Sequence, residues 1–170
     1  MMRLLGAAML IAGASALGLG AVGRLDGRVR DLRELLAGVE ALQRELGWRL
    51  AELPEALDLA AGASGGRAAG FFLRCAQGAA HLEGSPFRKV WREALEDSRL
   101  RLGREDRAPL EQLGTVLGRY DGDSQRQALE SAAARLEQRQ AIAAEDRKRL
   151  GRVYGVLGVT AGLFLVILLI

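Results

Sequence analysis

Apolar and polar residues follow two regimes along this chain. Two uncharged stretches, Leu4–Gly23 and Val153–Ile170, bracket a region where apolar positions recur at helical spacing. As α-helices they would measure about 30 and 27 Å, against a hydrocarbon core of ~30 Å. Each is therefore expected to cross a membrane. Between them, Leu25, Val29, Leu32, Leu36, Val39, Leu46, Leu50 and Leu53 alternate at spacings of three, four and seven, with Gln43 in the vacant seam position. This predicts a long amphipathic helix running out of the first span, packed within the domain or as a coiled-coil arm. Gly27, Gly38 and Gly47 weaken it locally, and Pro54 ends it while opening a short helix to Ala61. The run Gly62-Ala63-Ser64-Gly65-Gly66 is the clearest turn in the chain.

Further on, Ala68, Phe71, Phe72, Cys75 and Ala79 give a helix from Arg67 to Leu82 an inward face, and Gly84 stops it. Ser85 as N-cap and Pro86 in the first turn open a helix to about Leu100, burying Phe87, Val90, Trp91 and Leu95. A shorter helix follows from about Asp106 to Arg119, with Leu110, Leu113, Val116 and Leu117 inward. The turn Asp121-Gly122-Asp123, with Asp123 or Ser124 as cap, leads into a last long helix carrying Leu129, Leu136, Ala143 and Leu150 at seven-residue intervals. That helix shows no break before the second span, and from Glu137 to Arg149 it is mostly polar: exposed, or covered by another protein. No stretch alternates as a strand would. The expected architecture is all-α, a small bundle of about six helices on a two-span transmembrane hairpin. Residues 1–23 form the N-terminal span, 24–152 the helical domain and 153–170 the C-terminal span.

Charge sets the orientation. Every charged side chain except Arg3 lies between Arg24 and Arg152. Arg24, Arg28, Arg30 and Arg33 follow the first stretch, and Arg147, Lys148, Arg149 and Arg152 precede the second. Both collars put the central domain in the cytoplasm and both termini outside. The competing reading is a signal peptide cleaved near Ala14-Ser15-Ala16, which would leave an exported helical receptor tethered by its C-terminal span. With 24 basic and 21 acidic residues, the balance describes a solvated helical surface and argues against nucleic-acid binding.

Little in the chain suggests chemistry. One histidine and one cysteine cannot by themselves build a Cys/His zinc site. No phosphate-binding loop, nucleophile elbow or metalloprotease motif is present, so neither an enzyme nor a cofactor is expected. His81 beside Glu83 reads as a surface histidine at a helix end, and Cys75 as a buried small hydrophobe. Asp121 and Asp123 lack the further ligands of a calcium loop and are read as turn residues. Trp48 and Trp91 are read as packing residues. Gly151, Gly155, Gly158 and Gly162 form small-xxx-small pairs on one helix face, and Ala12, Ala16 and Gly20 offer a matching face on the first span. They suit packing inside the hairpin, with self-association or docking on another membrane protein as the alternative.

Several of these residues also resemble a known family, the stage III sporulation protein AB family of endospore-forming bacteria. The resemblance rests on Arg3-Leu4-Leu5-Gly6-Ala7, on Leu117-Gly118-Arg119-x-Asp121-x-x-x-Gln125 with Leu113 ahead of it, and on Leu157-Gly158-x-x-x-Gly162-Leu163-x-Leu165-Val166-Ile167-Leu168-Leu169. Smaller echoes are Leu53-Pro54 and Trp91 with Leu95. It implies a non-catalytic scaffold in the channel between mother cell and forespore, in the mother-cell membrane around the forespore. It also implies a head similar to the inner-membrane platform proteins of type II secretion and type IV pilus systems. The implied partners are the complex's own secretion-type ATPase, the stage III sporulation protein AA, and other channel components. Leu117, Gly118, Arg119, Asp121 and Gln125 then either fix a turn, with Arg119 paired to Asp121, or meet the ATPase. Long helices continuous with both spans would let the head pass a displacement to the bilayer.

Overall fold

The computed structural model describes residues 2–47, 49–82, 84–118 and 121–169. Side-chain surroundings are described outside 1–19 and 154–170, and for Gly13, Thr160 and Phe164 within them. Six helices follow in order: α1 (Met2–Gly47), α2 (Leu53–Ala63), α3 (Gly66–Ala80), α4 (Phe87–Asp97), α5 (Arg104–Val116) and α6 (Gly122–Leu169). No strand occurs among the described residues. The chain forms two compact units, Met1–Val29 with Ile142–Ile170, and Arg30–Ala141.

In the larger unit, α2 packs on α3, α3 on α4 and α4 on α5. The buried face of α1 carries Leu32, Leu35, Val39 and Leu42, and α6 adds Leu129, Ala132 and Leu136. An aromatic cluster fills the centre: Phe71 meets Trp91 edge-on at 4.8 Å and Phe72 at 4.9 Å, and Phe87 lies 6.0 Å from Trp91. Such tilted and edge-on contacts suit the ring quadrupoles. Glycines make the room. A Cβ at Gly38 of α1 would stand 2.1 Å from the Phe72 ring, and one at Gly114 of α5 would stand 2.2 Å from Trp91. Helix backbones and aromatic rings therefore approach more closely than alanine would permit.

Two buried carboxylates tie helices together. Asp31 of α1 accepts the Arg101 backbone N–H at 2.6 Å and pairs with Arg67 of α3 at 3.5 Å. Asp106 of α5 is fully buried; it accepts the Gly103 N–H at 2.9 Å and the Arg139 Nε–H of α6 at 2.8 Å. In the smaller unit Arg28 pairs with Asp146 at 3.2 Å, and Asp26 with Arg147. Two cations of the basic collars are thus engaged by carboxylates of the facing helix.

Several sequence expectations need correction. The first helix ends at Gly47, well before Pro54. Leu50 lies beyond it with φ of 52° and 83% exposure, while the Ala51 N–H reaches back to the Glu45 carbonyl. The buried stripe includes Leu35 and Leu42 while Leu36 is half-buried, and Leu50 is exposed because the helix stops before the heptad reaches it. Val90 and Val116 are half-buried, with Ala94 and Gly114 inside instead. Leu100 and Leu117 are buried from loop positions after α4 and α5 end. Pro86 itself holds the N-cap position of α4, with no side-chain cap. Trp48, Glu83 and Arg119 lie outside the described residues.

Among the described residues no helix is long and apolar enough to cross a membrane. Both expected spans fall almost wholly on residues whose surroundings lie outside that set, as do Gly155, Gly158 and Gly162. At Gly20 and Gly151 a Cβ would meet nothing within 4 Å.

Candidate partner-binding surface

The segment that links α5 to α6 carries the most distinctive sequence motif. Leu117 closes α5 by donating its N–H to the Leu113 carbonyl at 3.0 Å, and its side chain is buried. Gly118 then takes φ of 83°, and a Cβ there would come 3.0 Å from the Phe87 Cβ at the start of α4. A left-handed backbone against a neighbouring side chain is a position that suits glycine. Asp121, rather than Asp123 or Ser124, caps α6: its carboxylate accepts the Ser124 N–H at 3.4 Å and the Ser124 hydroxyl. These bonds lower its pKa below the usual aspartate value, the hydroxyl contributing most. The Gln125 N–H reaches the Asp121 carbonyl at 3.1 Å, the first turn of the helix. Gln125 also borders a cleft of about 170 Å³ with Leu46, Leu50, Ala51 and Leu129.

Motif residues thus divide by environment. Leu117 belongs to the core and Gly118 to a tight turn, while Asp121 is exposed. The expected pairing of Asp121 with Arg119 lies outside the described residues; the described partner of the Asp121 carboxylate is Ser124.

A larger concavity opens between α4 and α5. It has a volume of about 680 Å³, with Trp91, Leu95 and Gly114 among its lining. Arg88, Lys89 and Arg92 from α4 and Arg107 from α5 surround it, together with Glu96 and Glu111. Trp91 is only 1% exposed, and its indole N–H donates to the Leu110 carbonyl at 2.8 Å. The floor is therefore held by the core. Nothing in the sequence pattern singles out the helix face of Arg88, Lys89 and Arg92. Only the packing of α5 beside α4 brings Arg107 into the same rim and turns that face into a cleft.

Cys75 is buried, and burial pushes its thiol pKa far up, so little thiolate forms. His81 is exposed at the end of α3, with Nδ1 at 3.0 Å from the Gln77 carbonyl. Among the described residues no group of three His, Cys, Asp or Glu is placed to hold a metal ion.

Comparison with known proteins places this architecture. No curated protein matches the chain. A solved structure of a stage III sporulation protein AB superposes with a TM-score of 0.65 at 24% identity, covering 72% of this chain and 98% of the other. That likeness speaks for the helical fold. The family model for stage III sporulation protein AB matches residues 3–170, nearly the whole sequence, including both apolar ends and the Leu117–Gln125 motif. The chain belongs to the stage III sporulation protein AB family.

Proposed function

We propose that this protein is a non-catalytic membrane scaffold in a sporulation complex between mother cell and forespore. In this reading the helical head lies in the cytoplasm and docks a secretion-type ATPase, the stage III sporulation protein AA of the same complex. The two apolar ends cross the membrane as a hairpin and meet other channel components or a second copy of the chain. The observation that carries the reading is the family match over residues 3–170. Three features support the finer points. The apolar ends have the length of bilayer spans. Phe164 in the last helix is 65% exposed, as a lipid-facing side chain of a span would be. The basic residues flank both ends on the inner side of each.

The turn from Leu117 to Gln125 is assigned a structural role in this scheme. Leu117, Gly118 and Asp121 each serve packing, turn geometry or capping. A contact with the ATPase would then be made by surfaces beside it.

Topology is the decisive measurement. A cysteine at the exposed Ser124, in a Cys75→Ala background, is treated with a membrane-impermeant maleimide before and after permeabilising cells. Labelling only after permeabilisation is expected, and co-purification of the ATPase with the full chain should follow. Labelling of intact cells would place the head outside and leave the tethered receptor as the reading to pursue.

A further inference from the structure

The α4–α5 cleft has a composition that selects among ligands. Its floor is closed by Trp91 and Leu95, which are 1% and 3% exposed, its rim carries four cations, and two carboxylates interrupt that rim. Arg88, Lys89, Arg92 and Arg107 form no ion pair with any described residue. By contrast Arg67, Arg126 and Arg139 of the same unit are each bound to a carboxylate. We propose that this cleft receives an acidic amphipathic helix presented by a protein partner of the complex. The proposal rests on the docking reading above and names its surface.

Charge complementarity argues for the occupant. Four cations against two anions leave an excess of two positive charges around an opening that can take several side chains. A phosphate polymer would gain from the cations but would meet Glu96 and Glu111. A lipid surface is flat and would not enter a concavity. An amphipathic helix uses every feature: carboxylates on the cations, a basic residue opposite Glu96 or Glu111, and apolar residues along the aliphatic stems of Arg88, Lys89, Arg92 and Arg107. The size agrees. Helices of 11 and 13 residues border the cleft, and a wall of about 16–20 Å matches about three turns of a docked helix. Trp91 is locked by its bond to Leu110 and its ring contacts with Phe71 and Phe87, so the floor is formed before the partner arrives. Such preorganisation lowers the ordering cost of binding.

The test uses the full chain in sporulating cells, with a photo-crosslinking residue at Arg92 and, separately, at Ser124. The Arg92 probe is expected to attach to a protein segment whose cross-linked peptide carries acidic residues beside apolar ones spaced three and four apart. Combining Arg88→Glu with Arg107→Glu should cut that yield at least tenfold at an unchanged melting temperature. If the double variant melts early, Arg88→Gln alone, at an exposed position, should still lower it about threefold. The proposal is overturned if the Arg92 probe attaches only to lipid, nucleic acid, a second copy of this chain or a basic segment. It is equally overturned if that probe attaches to nothing. Cross-linking to the ATPase from Ser124 alone would sink the cleft while leaving the docking head intact. Failure of both probes, with Ser124 labelled in intact cells, would sink both.

Discussion

Gly38 lies within α1, and Gly62, where the sequence suggests a turn, lies in the last turn of α2. Their surroundings differ. The Phe72 ring occupies the space a Cβ would need at Gly38, whereas a Cβ at Gly62 meets nothing within 4 Å. Gly38→Ala is expected to destabilise the protein by about 1–3 kcal/mol through overpacking. Gly62→Ala should be neutral or stabilising by up to ~1 kcal/mol, from helix propensity. Urea unfolding of the two variants in detergent would compare them directly; equal effects would refute the close α1–α3 contact. Asp121 offers a pH signature at the same scale. Its carboxylate is bonded when ionised, so its folded pKa lies below its unfolded one. The stabilisation is present above the ordinary aspartate pKa and is lost as pH falls through the lowered folded value. Amide exchange at Ser124, taken relative to its intrinsic rate, should accelerate over that acid range, and Asp121→Ala should remove that change in protection.

At the scale of elements, the bond between Asp106 and Arg139 decides how α6 lies on α5. Asp106 stands in the first turn of its helix, where a carboxylate also favours the dipole. Its ionised form, with Glu105 at 2.6 Å from the same guanidinium, raises the Arg139 pKa, the Asp106 hydrogen bond contributing most. Arg139→Met would leave a buried carboxylate with one fewer donor and is expected to cost about 2–3 kcal/mol. Glu105→Gln, at an exposed partner, should cost less than ~1 kcal/mol. Comparable losses from the two variants in urea melts would refute the assignment. The end of α1 belongs to this scale as well. Its heptad continues in sequence to Leu53, yet the helix stops at Gly47 and the chain turns through Leu50. The apolar rhythm predicts a helix face and cannot itself say where that helix stops.

For the whole molecule, a cysteine at Ser124 reads the proposed orientation, and native Cys75 interferes little with that measurement. A buried thiol with a strongly raised pKa should stay unlabelled by maleimide in both intact and permeabilised cells, reacting only after denaturation. Labelling of native Cys75 would contradict the packed core around α3. The pairs Asp26–Arg147 and Arg28–Asp146 bear on the same orientation. They are partly exposed, so charge-swapping either pair should change stability by less than ~1 kcal/mol while preserving the count of basic residues. An inverted topology after that swap would show that the arrangement of the collar matters beyond its count.

Much of this protein was legible in its sequence. The all-helical class, the helix order, the inward Phe71, Phe72, Trp91, Leu129 and Leu136, and the family all follow from local periodicity, turn residues and a motif. These are properties of neighbours along the chain, and a helix face is set by residues three and four apart. Tertiary structure alone decided the rest. Asp31 and Asp106 look like solvated charges until Arg67 and Arg139 arrive from distant helices. Gly38 and Gly114 look like weak points until Phe72 and Trp91 fill their space. The cleft exists only because α5 packs beside α4 and brings Arg107 towards Arg88 and Arg92. Each depends on contacts between residues far apart in sequence, and those contacts are settled by how helices pack, which periodicity does not encode.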